Sequence, residues 1–182
     1  WDELNNHYKV DSVLITSINQ TDREMIEFDS DLLTFKIEGK YNIVDLYPSF
    51  VNIVARDIPS LTGVKYSQKK SKGNNQFRLM AKMRDFGPIR NLFMPDFEFS
   101  DKARFSGRFD DLEQTYTFNF AADTMILKNK KVYDLKMYSN NKNDAMNIYA
   151  QSDFIQLFDT IGFQNFKIET AVRDGLVDFK LG

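Results

Sequence analysis

A chain of 182 residues with 24 basic and 26 acidic side chains is long enough to bury a core, and its interspersed charges give no electrostatic footprint for a polyanion such as nucleic acid. The absence of cysteine excludes disulfides, thiolate metal sites and cysteine nucleophiles, and a catalytic triad or histidine metal centre would have to rest on His7 alone. Seventeen Phe and eight Tyr against four Pro favour strands, and no run approaches the roughly 18 apolar residues of a membrane-spanning helix.

The first element is a strand over "YKVDSVLITSI", Tyr8 to Ile18, whose apolar residues fall on both sides, so its buried face is ambiguous. "NQTD" turns the chain into a short second strand, "EMIEF". Asp29 and Asp31 then form a turn, because the following "LLTF" lacks the Gly and Glu of a calcium loop. In "LLTFKIEGKY", Leu33, Phe35, Ile37 and Tyr41 share one face while Thr34, Lys36, Glu38 and Lys40 share the other, the signature of a strand wet on one side.

The period changes after that. Leu46, Phe50, Val54 and Ile58 fall four apart, Asp45 can cap and Pro48 suits a first turn, which predicts a helix from about Leu46 to Asp57. Residues 60–76, rich in Lys, Gly and Asn, read as a mobile, solvated loop. "FRLMAKMRDF" returns to period two with Phe77, Leu79, Ala81 and Met83 on one side, and "GPIRNLFMPD" makes a short helical connection.

Beyond Pro95 the pattern is strand throughout: "FEFSDKARFSGRFD", "TYTFNFAADTMIL", "KVYDLKMYS", "AMNIYAQS", "NFKIETAV" and "GLVDFKL". Asp110 and Asp111 are adjacent, so on a strand they diverge; their role is to start a turn, not to form a glycosidase pair. Gly107 lies inside an alternating strand and marks a bend or bulge, and no phosphate-cradling loop occurs.

Short polar turns between successive strands predict an antiparallel meander, since parallel winding would need crossover helices. One face of it is apolar: Leu33, Phe35, Ile37, Tyr41, Phe77, Leu79, Met83, Phe97, Phe99, Phe105, Phe109, Tyr116, Phe118, Phe120, Tyr133, Leu135, Met137, Met146, Ile148, Phe166, Ile168, Val177 and Phe179. Such a face must be covered by a second sheet, curled into a barrel, or folded into a trough that holds something apolar. Pattern alone favours a sandwich core, although nothing marks a switch between two sheets. An enzyme on a lipocalin-like barrel would require a polar constellation in its cavity, and none is visible.

"ARFSGRFDD" with "TYTFNFAADTMILKNKKVYDLKMYS", followed by "NDAMNIYAQSDFIQLFDTIGFQNFKIETAVRDGLVDFKLG", resembles the repeated strand modules of the TamB family of translocation and assembly modules, in the long versions from Bacteroidota. Phe105-x-Gly107-x-Phe109-Asp110 opens a hairpin, a short extended segment follows around Met125 to Leu127, and Asn165-Phe166-x-Ile168 precedes Asp174-Gly175 and Val177-x-Phe179. The resemblance spans most of residues 32–182; "ILKNKKV" is more basic than the family's aromatic-Gly turn, and residues 1–31 match only as generic strands.

The resemblance implies an all-β, curved antiparallel meander forming an open U-shaped hydrophobic groove, a β-taco, with one or two short helical inserts. The whole chain is then one β-rich segment of a longer repetitive protein: strand plus helix over 32–59, loop over 60–76, antiparallel strands over 77–182. The implied function is non-enzymatic, the holding or conducting of phospholipid acyl chains between membranes, or help in outer-membrane protein assembly. The implied setting is the periplasm, within an inner-membrane-anchored envelope protein.

The residues that would line the groove are Phe35, Ile37, Phe77, Leu79, Phe97, Phe99, Phe105, Phe109, Tyr116, Phe118, Phe120, Tyr133, Leu135, Met137, Ile148, Phe166, Ile168 and Phe179. Partners would be phospholipid or another hydrophobic cargo, an outer-membrane β-barrel assembly protein, or a second copy paired through an edge strand. No cofactor, metal or nucleic acid is expected. The alternative from a different class is a closed β-sandwich that binds glycans or a protein partner.

Overall fold

The computed structural model describes residues 11–20, 23–46, 49, 75–85, 87, 97–100, 102–128, 130–158, 161–173 and 176–182. The chain is all-β. Its strands are β1 (Val13–Gln20), β2 (Arg23–Ser30), β3 (Leu33–Lys40), β4 (Gln76–Met83), β5 (Phe97–Phe99), β6 (Arg104–Asp110), β7 (Thr115–Leu127), β8 (Lys130–Asn140), β9 (Met146–Phe158), β10 (Ile161–Arg173) and β11 (Leu176–Leu181).

All eleven belong to one open antiparallel sheet in the order β1-β2-β3-β4-β6-β7-β8-β9-β10-β11, with β5 paired to β7. Most of the order follows the chain because a short turn returns the next strand antiparallel beside the last, while longer connections join β3 to β4 and β4 to β6. Among the described residues no strand forms a second sheet, so the two-sheet sandwich favoured by pattern alone is not the architecture.

Opposed residues in an antiparallel pair project from the same face, so the register assigns every side chain. Phe28, Phe35, Ala81, Phe105, Phe120, Met137, Ala150, Ile168 and Leu181 form one continuous row. The ambiguous first strand is settled the same way: Ile15 opposes Phe28 and Ser17 opposes Ile26, which puts Val13, Ile15 and Ser17 on the apolar face.

The turns obey local chemistry. At the β2–β3 turn Ser30 Oγ accepts the Leu32 and Leu33 amides, at 3.3 and 3.1 Å, while Asp29 pairs with Arg84 at 2.8 Å. Asp110 Oδ1 accepts the Leu112 and Glu113 amides, both at 3.0 Å, so Asp110 starts the β6–β7 turn as its sequence position indicated. The deeply buried core is a patch of the apolar face: Ile37, Tyr41, Phe77, Phe109 and Tyr116, with Leu46 among the residues packed against it.

Several boundaries differ from the sequence expectation. The helix starts at Ile43, not Leu46, because Asn42 is the cap: its Oδ1 accepts the Val44 amide at 3.0 Å. Leu46 and Ser49 are helical, and the remainder of the predicted helix lies outside the described residues, as do His7, residues 60–74 and most of "GPIRNLFMPD". "FEFSDKARFSGRFD" is two strands, and "DFIQLFDTIGFQ", which shows no clean alternation, mostly extends β9 and β10.

Gly107 is not a bulge. It pairs in register with Phe118, whose ring lies where a Cβ would stand, 2.5 Å from that position. The strand therefore omits a side chain to make room for an aromatic neighbour.

Candidate functional site

The apolar face divides into a covered and an open part. At the covered part Phe109 is 1% exposed, stacks on Phe77 with ring centres 5.0 Å apart, and lies in the cluster with Ile37, Tyr41 and Tyr116. Phe35, Leu79 and Phe118 pack against this cluster. These predicted groove residues thus make the hydrophobic core, and Leu135, 6% exposed, is buried as well.

Asn75 is the polar pin of this part, and it is completely buried. Its Oδ1 accepts the Asn42 amide at 2.8 Å, its Nδ2 donates to Ser49 Oγ at 3.0 Å, and its carbonyl accepts the Asp111 amide at 2.8 Å. One residue so joins the helix start, the entry to β4 and the β6–β7 turn. The sequence reading placed Asn75 and Gln76 in a mobile loop; the buried amide and the strand that begins at Gln76 correct that. One of two adjacent Asn in a stretch rich in Gly and Lys gave no sequence signal.

Away from the core the same face opens. Phe105 stacks on Phe118 at 5.5 Å, Phe99 meets Phe120 edge-on at 5.3 Å, and Tyr133 sits 6.0 Å from Phe154. Ile148, Phe166 and Ile168 are half-buried, Met137 is 37% exposed and Phe179 is 65% exposed. Phe97 pairs its backbone with Leu127, and its side chain lies outside what is described.

The main hollow on the described surface is on the other face. A cavity of about 1020 Å³ is walled by β2, β3, β4 and β6 through β10. Its side chains come from two cross-strand rows. One contains Thr34, Lys82, Arg104, Ala121, Lys136, Gln151 and Lys167; the other contains Lys36, Met80, Ser106, Asn119, Tyr138, Tyr149 and Glu169. Phe105, Phe120, Met137 and Ile168 contribute only as the strand row between these two, because period-two alternation turns their side chains to the apolar face. A tyrosine pair, Tyr138 and Tyr149, stacks with ring centres 6.0 Å apart.

The electrostatics of the polar face are uneven. Glu38 lies between Lys36 at 3.1 Å and Arg23 at 3.0 Å, and these two hydrogen-bonding cations, Lys36 the stronger, hold its carboxyl below the usual range. Lys82, Arg104, Lys136 and Lys167 form no ion pair within 4.0 Å among the described residues. On the apolar face, burial first and Glu24 second push the Tyr41 hydroxyl above its ordinary pKa; that hydroxyl is buried with no hydrogen-bond partner among the described residues.

Among the described residues, no group of three or more acidic or histidine side chains is placed to hold a metal ion, and no helix is long and apolar enough to cross a membrane. Compared with protein-family models, curated proteins and solved structures, the chain matches none.

Proposed function

We propose that the chain is a non-enzymatic segment of a TamB-like cell-envelope protein whose apolar sheet face holds phospholipid acyl chains. The observation that carries this reading is the apolar row that runs unbroken from Phe28 to Leu181, in which no side chain is fully buried and Met137 and Leu181 are exposed to solvent. Each methylene of an acyl chain laid along such a surface gains about 0.8 kcal/mol on leaving water, and the flexible thioether of Met adapts to a mobile chain.

In this reading the acyl chains lie along the exposed part of the apolar face, on the opposite side of the sheet from the hollow. On the same reading the outer edges of β1 and β11, which pair with no further strand among the described residues, are open to another strand or to a second copy. An apolar strand of an outer-membrane protein is the other cargo that the same surface accommodates. The glycan-binding sandwich loses support, because its second sheet has no counterpart among the described strands.

The test is lipid extraction and native mass spectrometry of the purified chain, with a photoreactive residue placed at Met137 or Phe179 and, on the opposite face, at Tyr149. Co-purified phospholipid that crosslinks through its tails from Met137 and Phe179 but not from Tyr149 is the expected result. A lipid-free protein, or equal crosslinking from both faces, overturns the reading.

A further inference from the structure

We infer that the hollow of the polar face is a binding site for a phosphate ester, held by Lys82, Arg104, Lys136 and Lys167. The argument begins at the β4–β6 pair, where Lys82 directly opposes Arg104 and Arg78 directly opposes Arg108. Like charges facing each other destabilise an antiparallel pair, and neither couple has a carboxylate within 4.0 Å among the described residues. The chain as a whole is slightly acidic, with a formal charge of −2, so these cations are a local concentration and not a general excess.

The row containing Lys82 and Arg104 continues through Ala121 to Lys136, then through Gln151 to Lys167. With strands about 4.8 Å apart, the first two cations stand roughly one strand apart and the next two follow at roughly 10 Å intervals. A phosphate group fits the close couple: its oxygens bridge two cations, and the Arg104 fork can engage two of them at once.

The cavity, at about 1020 Å³, far exceeds one phosphate, and its second row offers Met80 and the Tyr138–Tyr149 stack. The ligand therefore carries an organic part beside its phosphate, as a lipid headgroup or a soluble sugar or glycerol phosphate does. The sheet itself separates this site from the apolar face, so the inference stands whether or not acyl chains bind there.

The test uses the full chain with two probes: soluble glycerol 3-phosphate, followed by calorimetry, and phosphatidylcholine vesicles with and without phosphatidylglycerol, followed by flotation. The variants are Lys82→Gln with Arg104→Gln, Lys136→Gln with Lys167→Gln, and Arg23→Gln as a control that lies outside the hollow and whose cation is already paired with Glu38. The substituted residues of both double variants are exposed, so these proteins are expected to keep their thermal midpoint.

Binding that weakens with salt, falls about tenfold in each double variant and is unchanged by Arg23→Gln is the expected result. Binding of glycerol 3-phosphate identifies a soluble phosphate ester as the source; binding of phosphatidylglycerol vesicles alone identifies a lipid headgroup. The inference is overturned if neither probe binds, if the double variants bind as the parent does, or if Arg23→Gln loses as much. Preferential binding of a single-stranded oligonucleotide overturns it too.

Discussion

Phe109 and Phe179 occupy the same face of the same sheet and arise from the same alternation, yet one is 1% and the other 65% exposed. The difference lies in what stands over them. Near Phe109 the chain leaves β3 at Tyr41, places Leu46 against the sheet and returns through Asn75 into β4. Near Phe179 the strand order ends, and β11 is exposed along its whole length. An apolar alternation is therefore a statement about which face a residue joins; whether that face becomes core or surface depends on a covering segment elsewhere in the chain.

Removing the ring of Phe109 is the strongest way to break the contrast. Phe109→Ala should cost about 3–5 kcal/mol, seen as a large fall in the denaturation midpoint; a fall no larger than that of a surface variant would show that the covered part is not the stabilising core. Asn75→Ala should come next, at about 2–3 kcal/mol, because it leaves the Asn42 amide without its acceptor and removes the amide that donates to Ser49 Oγ. Hydrogen exchange should then accelerate at the helix start, while the Asp111 amide, bonded to the Asn75 main-chain carbonyl that alanine keeps, stays protected; no acceleration at the helix start would dissolve the idea of a side-chain pin.

Tyr41 sharpens the comparison through pH. Its folded pKa is raised above the ordinary value of 10.0, so the folded state binds its proton more tightly than the unfolded chain does. That contribution is fully present below pH 10 and is lost as the pH rises through the folded value. Tyr41→Phe should flatten the alkaline loss of stability and, by removing an unpaired buried hydroxyl, stabilise the fold by about 1 kcal/mol at neutral pH. An unchanged alkaline profile would place the titrating group elsewhere.

The smallest stability effect belongs to Phe179→Ala, within about 0.5 kcal/mol. The same change should lower the yield of bound lipid, measured by extraction from the purified protein. A loss of stability comparable with that of Phe109→Ala would mean that the outer strands are as covered as the inner ones.

Most strands were legible because a half-wet strand writes its period directly into the chain, as "LLTFKIEGKY" and "FRLMAKMRDF" do. "DFIQLFDTIGFQ" was less legible: within it Ile155 opposes Phe163 and Phe154 opposes Gln164, so apolar residues fall on both faces. Nearby, Ser152 donates to the Tyr133 carbonyl at 2.7 Å, beside a row where Asp134 and Asn165 adopt positive φ, a local distortion with no periodic signature.

The sequence by itself determined the strand rhythm, the antiparallel order and the identity of the apolar face, because these follow from side-chain alternation and turn chemistry within a few residues. Only the tertiary structure decided that part of that face is core, that Gly107 is a slot for Phe118, that Asn75 is a buried pin, and that the hollow lies on the face carrying Lys82 and Arg104. Those features depend on which strands are neighbours and which segment covers them. Such long-range pairings are fixed by the free energy of the whole sheet and leave no local pattern to read.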